Sequence, residues 1–153
     1  MNALWVIPWF VLGAERKIPR EEVPAAVIDA ATARFPKAKL TRFIEETSAG
    51  KKTYELRLDL EGKLSDLVVS ADGKPLALET VIAAADLPEP VRKALAASKY
   101  AKGKLRRVER IEDLKTSGPP TYELDVEMPG KNRELTFNTR GALVKDEESD
   151  EED

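Results

Sequence analysis

The sequence predicts an α+β protein made of two tandem helix-plus-antiparallel-meander units, each reading helix, strand, strand, strand. Three observations lead there. The chain resembles itself at an offset that grows from 64 to 68 residues, as insertions in loops would produce. Each copy opens on a helix-forming stretch behind a proline, Val23-Pro-Ala-Ala-Val27 in one and Leu87-Pro-Glu-Pro-Val91 in the other. Each then carries a strict alternation, which is the period of a strand with one buried face. Tyr54, Leu56, Leu58 and Leu60 alternate with Thr53, Glu55, Arg57 and Asp59, and Tyr122, Leu124, Val126 and Met128 with Glu123, Asp125 and Glu127.

The elements follow in order. Pro24 and Pro88 suit a first helical turn, where a missing N–H costs nothing. Ala25, Ala26, Ala30, Ala31 and Ala33 favour helix, and Val23, Val27, Ala30 and Ala31 share one stripe. Phe35-Pro36 ends the first helix, because the residue before a proline is pushed out of the α region. In the second copy Arg92–Lys99 continues the helix, Tyr100 takes the place of Phe35, and Gly103 helps to stop it. The first strand of each copy, near Leu40–Glu46 and Leu105–Ile111, spaces its apolar residues three apart and reads as bulged or bent. The alternating strand comes second and closes on the turns Glu61-Gly62 and Pro129-Gly130. The third strand buries Leu67 and Val69, or Leu135 and Phe137, and ends at Asp72-Gly73 or Arg140-Gly141. A fourth strand, Leu76–Ile82, is expected to complete the first unit.

The two ends have a different character. Ala3–Leu12 holds no charge, and Glu15, Arg16 and Lys17 end its apolar run. Ten residues rise about 15 Å as a helix, half of a ~30 Å hydrocarbon core, so the segment is too short to span a membrane. It has the length of a secretory h-region followed by small residues, although no Lys or Arg precedes Ala3. Residues 1–14 are therefore expected to be a signal peptide or an apolar anchor, and the protein periplasmic or secreted. Residues 15–82 and 83–144 form the two units. From Asp146 to Asp153 every residue but Ser149 is acidic; without those seven carboxylates the net charge of −3 becomes +4 for residues 1–145. A run of that kind repels itself and has nothing to bury, so residues 145–153 are expected to be a disordered tail.

Composition narrows the chemistry. The 153 residues include no Cys and no His. A disulfide framework, a thiolate metal site, a Cys nucleophile and the usual general base are thereby excluded. No glycine-rich fingerprint precedes a helix. The basic stretch Lys99, Lys102, Lys104, Arg106, Arg107 and Arg110 has no exposed aromatics interleaved and reads as a solvated turn and strand edge rather than a nucleic-acid surface. No catalytic residue, cofactor or dedicated metal ligand is expected.

Val23–Val27, Phe35-Pro36, Tyr54–Leu56 and Asp72–Lys74, with Leu87–Val91, Tyr100, Tyr122–Leu124 and Gly141 in the second copy, resemble the PepSY-like, β-lactamase-inhibitor-like domains. The resemblance covers about Pro19 to Val144 and its motifs are architectural. It implies a small exported bacterial domain, often tandem, that binds proteins or regulates peptidases without being an enzyme. The inhibitor for which the family is named grips its target with an aromatic-rich concave sheet and carries paired cysteines. This chain departs from that pattern. Its aromatics beyond residue 22 are Phe35, Phe43, Tyr54, Tyr100, Tyr122 and Phe137, most of them at core positions.

Alternation assigns Glu55, Arg57, Asp59 and Asp66 to one outer sheet face and Glu123, Asp125, Glu127 and Glu134 to the other. These are the candidate partner-binding residues, read as an acidic docking surface for a basic peptide or protein. The bland alternative is a solvated face balanced by Arg106, Arg107 and Arg110 through cross-strand pairs. A further alternative is a small-molecule or Ca²⁺ binding module that uses the acidic face or a cleft between the units.

Overall fold

The computed structural model describes residues 14–149. Residues 1–13 of the expected signal peptide or anchor, residues 1–14, lie outside the described residues, as do residues 150–153 of the acidic run. Contacts divide the chain into two compact units, residues 1–76 and 77–153.

In the first unit β1 (Ala14–Lys17) leads through a 3₁₀ turn, Arg20–Glu22, into α1 (Ala25–Arg34). Pro24 occupies the N-cap position and Phe35 the C-cap, where the N–H of Phe35 still donates to the Ala31 carbonyl. Then come β2 (Lys39–Ser48), β3 (Lys51–Leu60) and β4 (Lys63–Ser70), each antiparallel to the strand before it. β1 pairs antiparallel with β2 at the other side. The alternating apolar residues of β3 and β4 form one face of this sheet. Leu56, Leu58, Leu67 and Val69 are buried there, as are Val27 and Ala31 of the helix. Gly73, in the turn after β4, has φ +86°, and a Cβ at that position would lie 2.7 Å from the Ala26 carbonyl oxygen. Only glycine allows that backbone and that approach to the start of α1.

The second unit follows the same order. β5 (Pro75–Val81) leads through a 3₁₀ turn, Ala84–Asp86, into α2 (Glu89–Ala97), capped by Pro88. Then come β6 (Lys104–Asp113), β7 (Thr121–Met128), β8 (Lys131–Asn138) and β9 (Leu143–Ser149), again antiparallel in succession. Its core joins Leu87 and Val91 to Tyr100, Val108, Tyr122, Leu124, Val126, Leu135 and Phe137, with Ala94 and Leu95 packed against them. The register slips between Leu40 and Arg42 in β2 and between Leu105 and Arg107 in β6. Those slips are the bulges that the three-residue apolar spacing announced.

The fold class departs from expectation. Among the described residues the two α-helices have ten and nine residues, whereas nine strands, antiparallel in succession as β1–β4 in the first unit and β5–β9 in the second, take up the larger part. The molecule is therefore predominantly β, not a pair of helix-plus-meander α+β units. Three segments account for the difference. Ala14–Lys17, which begins on the last residue of the expected leader, pairs with Ile44–Thr47. Ala77–Val81, expected to close the first unit, pairs with Glu109–Asp113. Leu143–Ser149, placed largely in a disordered tail, pairs with Asn132–Phe137. Backbone ladders and polar side-chain pairs such as Arg16–Glu45 and Arg133–Asp146 hold the first and last of these strands, so they leave no apolar period in the sequence.

Candidate functional site

Strand geometry sends alternate side chains to opposite faces. The apolar set packs under the helix of each unit, which leaves a second, polar face carrying all eight candidate residues. The bulges set its phase. Beyond the slip in β6, Val108 faces the core and Arg107 and Glu109 face the polar side, so the adjacent pairs run Arg107–Asp125–Glu134 and Glu109–Glu123–Thr136–Lys145. The matching rows of the first unit run Arg42–Arg57–Asp66 and Ile44–Glu55–Val68.

The first unit neutralises itself. Asp66 is 1% exposed and accepts a two-pronged pair from Arg57, Nε at 2.9 Å and Nη2 at 2.6 Å. Arg42 Nη2 reaches both Asp66 at 3.4 Å and Glu55 at 2.6 Å. Burial nevertheless pushes the Glu55 carboxyl up to about 7, helped by the charge of Asp66 and opposed by Arg42. Asp59 serves the backbone instead, since its carboxylate accepts the Gly62 N–H at 2.8 Å and fastens the β3–β4 turn.

The second unit has a different balance. Glu109 stands where the first unit has Ile44, and it takes the Arg107 guanidinium at 2.6 Å. Glu134 pairs with Lys145 at 2.9 Å, and Lys145 also reaches Glu147 at 3.2 Å. Asp125 lies between Arg107 and Glu134 in register. Glu127, at the open end of β7, lies 3.9 Å from Lys104. Among the described residues no hydrogen bond or ion pair reaches the Glu123 carboxyl. Burial, then the charges of Glu134 and Glu109, push it up to about 8, against the pull of Lys145. At neutral pH it is mostly protonated, in the middle of a face otherwise rich in ionised carboxylates.

The bland expectation of a face balanced by Arg106, Arg107 and Arg110 is met by Arg107 and not by Arg110. Arg106 is the extra residue at the bulge, and Arg110 stands opposite Tyr122 on the other face and pairs with Glu112 at 2.7 Å. Sequence reasoning missed Glu109 and Lys145 as members of the polar face. The Arg107-x-Glu109 spacing was the available signal, but the bulge hid which parity faced outward. It also missed a second cluster, in which the Tyr100 hydroxyl and Arg133 both donate to Asp146.

A family described as "Putative beta-lactamase-inhibitor-like, PepSY-like" matches the chain twice, at residues 9–77 and 70–145. The chain belongs to this PepSY-like family. No curated protein matches the PepSY-like chain. Its fold is similar to a crystal structure described as a "putative periplasmic" protein from Bacteroides eggerthii, with TM-score 0.70, 17% identity, and 82% of this chain and 88% of that one covered. A DUF2874 family protein from Bacteroides uniformis gives 0.69, 18% identity, and 82% and 88% coverage. A BLIP-like protein from Bacteroides fragilis gives 0.65, 23% identity, and 89% and 91% coverage. At these identities the likeness concerns the fold. No helix among the described residues is long and apolar enough to cross a membrane.

Proposed function

We propose that this PepSY-like protein is an exported, non-enzymatic binding module that docks a basic segment of another protein on the polar face of its second unit. One observation carries the reading. The first unit closes its carboxylates with Arg42 and Arg57, whereas the equivalent rows of the second unit hold Glu109, Glu123, Asp125 and Glu134 around Arg107 and Lys145. A Lys or Arg set among these groups restores the balance and lets Glu123 ionise. Complementary charge of this kind fixes partner choice and speeds encounter. The inhibitor-like description of the family and the periplasmic description of one structural relative support the binding role and the compartment. A peptidase is one class of target that such a module would regulate.

The test is titration of the full chain with an arginine- and lysine-rich synthetic peptide at low ionic strength. Binding should weaken with salt and drop at least about tenfold when Asp125 and Glu134 are replaced by Asn and Gln, since two close charge pairs are lost. Binding that survives those replacements, or no binding at all, refutes the reading. A heat signal with Ca²⁺ and none with the peptide would favour an ion-binding role instead. N-terminal sequencing of protein from the cell envelope fraction checks export.

A further inference from the structure

β9 is the last strand in the sheet order and its adhesion is unusual. None of its residues is buried, and Leu143 is 43% exposed. Asp146 sits opposite Leu135 on the helix side, where a strand would ordinarily contribute an apolar residue to the core. Its carboxylate is held by the hydroxyl of buried Tyr100 and by Arg133, whose Nε lies 2.9 Å away. Lys99, stacked 5.1 Å over the Tyr100 ring, adds positive charge. Burial pushes the other way, yet these donors and charges hold Asp146 below the ordinary aspartate value. Polar contacts therefore supply much of the adhesion that apolar packing gives elsewhere in the sheet.

The first unit shows that the fold does not require this cluster. Phe35 stands at the position of Tyr100 and Ser65 at that of Arg133, as the pairs Leu58–Ser65 and Val126–Arg133 show. The register slip between Thr136 and Phe137 leaves Val144 as an extra residue, a natural hinge beyond which β9 can peel while the Asn138–Ala142 turn stays closed.

We propose that Lys99, Tyr100 and Arg133 form a carboxylate socket at the edge of β8, that Asp146 is its built-in occupant, and that an extended acidic segment of a partner enters by replacing β9 beyond Val144. The incoming strand regains the ladder bonds that β9 gives up, as in other strand-addition complexes. Its cost is competition with a tethered strand at high effective concentration. The chain's own sequence defines what fits: a carboxylate toward Tyr100 and Arg133, preceded by a cation toward Glu134.

A fluorescent peptide with the sequence of residues 143–149 is the probe, titrated into the full chain and followed by anisotropy. Asp146→Asn in the chain weakens the internal competitor, so uptake should tighten by about tenfold, the worth of one charged hydrogen bond. Tyr100→Phe with Arg133→Gln should abolish uptake, and so should an asparagine in place of the peptide's aspartate. Hydrogen exchange on the unaltered protein gives an independent reading: the amides of 145–149 should exchange through local opening, well before those of Thr121–Met128. Either of two results overturns the proposal. One is equal protection of the two strands; the other is an absence of peptide uptake that depends on the aspartate.

Discussion

Replacing Glu123 by glutamine should reduce the loss of stability that the protein suffers as pH rises from 5 to 9. The carboxyl titrates near 4.5 when unfolded and is pushed up to about 8 in the fold, first by burial and then by Glu134 and Glu109. The folded state thus holds its proton more tightly than the unfolded chain. This contribution to stability is intact below about pH 4.5, falls as pH rises through the interval, and is gone above about pH 8. At about 1.4 kcal/mol per pH unit the interval amounts to at most about 5 kcal/mol. Because its neighbours titrate with it, a realistic loss is on the order of 2–3 kcal/mol. Glutamine keeps the shape and the donor of the protonated acid but has no proton to lose. Asp146 and Glu45, both held below their ordinary values, lose their contributions in acid, whereas Glu55, pushed up to about 7, loses its own between about pH 4.5 and 7 in both proteins, so the reading is the difference between them. Thermal melts followed by circular dichroism at pH 5, 7 and 9 should show the two proteins matched at pH 5. By pH 9 they should differ by roughly 10 °C. A wild-type melting temperature flat across that range, or a variant that follows the wild-type slope, would show that the Glu123 carboxyl is hydrated and that the polar face is not organised around it.

Gly73→Ala should lower stability by about 2 kcal/mol or more, since a positive φ and a 2.7 Å approach to the Ala26 carbonyl must both be relieved; urea denaturation measures it. Asp66→Ala strips Arg57 and Arg42 of a shared partner that is 1% exposed, and should cost about 3–5 kcal/mol in the same assay. Leu124→Ala empties a fully buried position under α2 at a cost of about 2–5 kcal/mol. Leu64→Ala, at 39% exposed, should stay within about 0.5 kcal/mol, and a larger effect would mean that the β3–β4 tip is covered.

What could be read in the sequence was whatever one buried face imposes. Tyr54 to Leu60 and Tyr122 to Val126 alternate because their even positions meet the core. Pro24 and Pro88 mark helix starts because a first turn has no use for their missing N–H groups. The fold class was misread where pairing rests on backbone bonds and polar side chains rather than on apolar burial. Ala14–Lys17 is exposed along its whole length and Leu143–Ser149 buries nothing, so neither leaves a hydrophobic period. The polar face shows the same division. Glu55 and Glu123 were placed correctly by parity, whereas Glu109 and Arg110 were missed, because parity along β6 must be counted from Val108, beyond the slip after Leu105.

The two units give a control on one another. β2 to β4 build their ladder with Ile44, Arg57 and Val68 on the polar face; β6 to β8 build the same ladder with Glu109, Asp125 and Thr136. The ladder therefore does not demand acid at these positions. The single exchange of Ile44 for Glu109 redirects the arginine, because Arg42 turns to Glu55 where Arg107 turns to Glu109. Among the described residues Glu123 is then left without a hydrogen-bond partner in a half-buried setting, and its carboxyl is pushed up. An aliphatic residue there would have no charge to lose, as Val68 has none at its own place on the polar face. A half-buried carboxyl that the ladder does not require is the observation on which the proposed docking of a cation rests, because a cation would turn the unbonded group into a favourable contact.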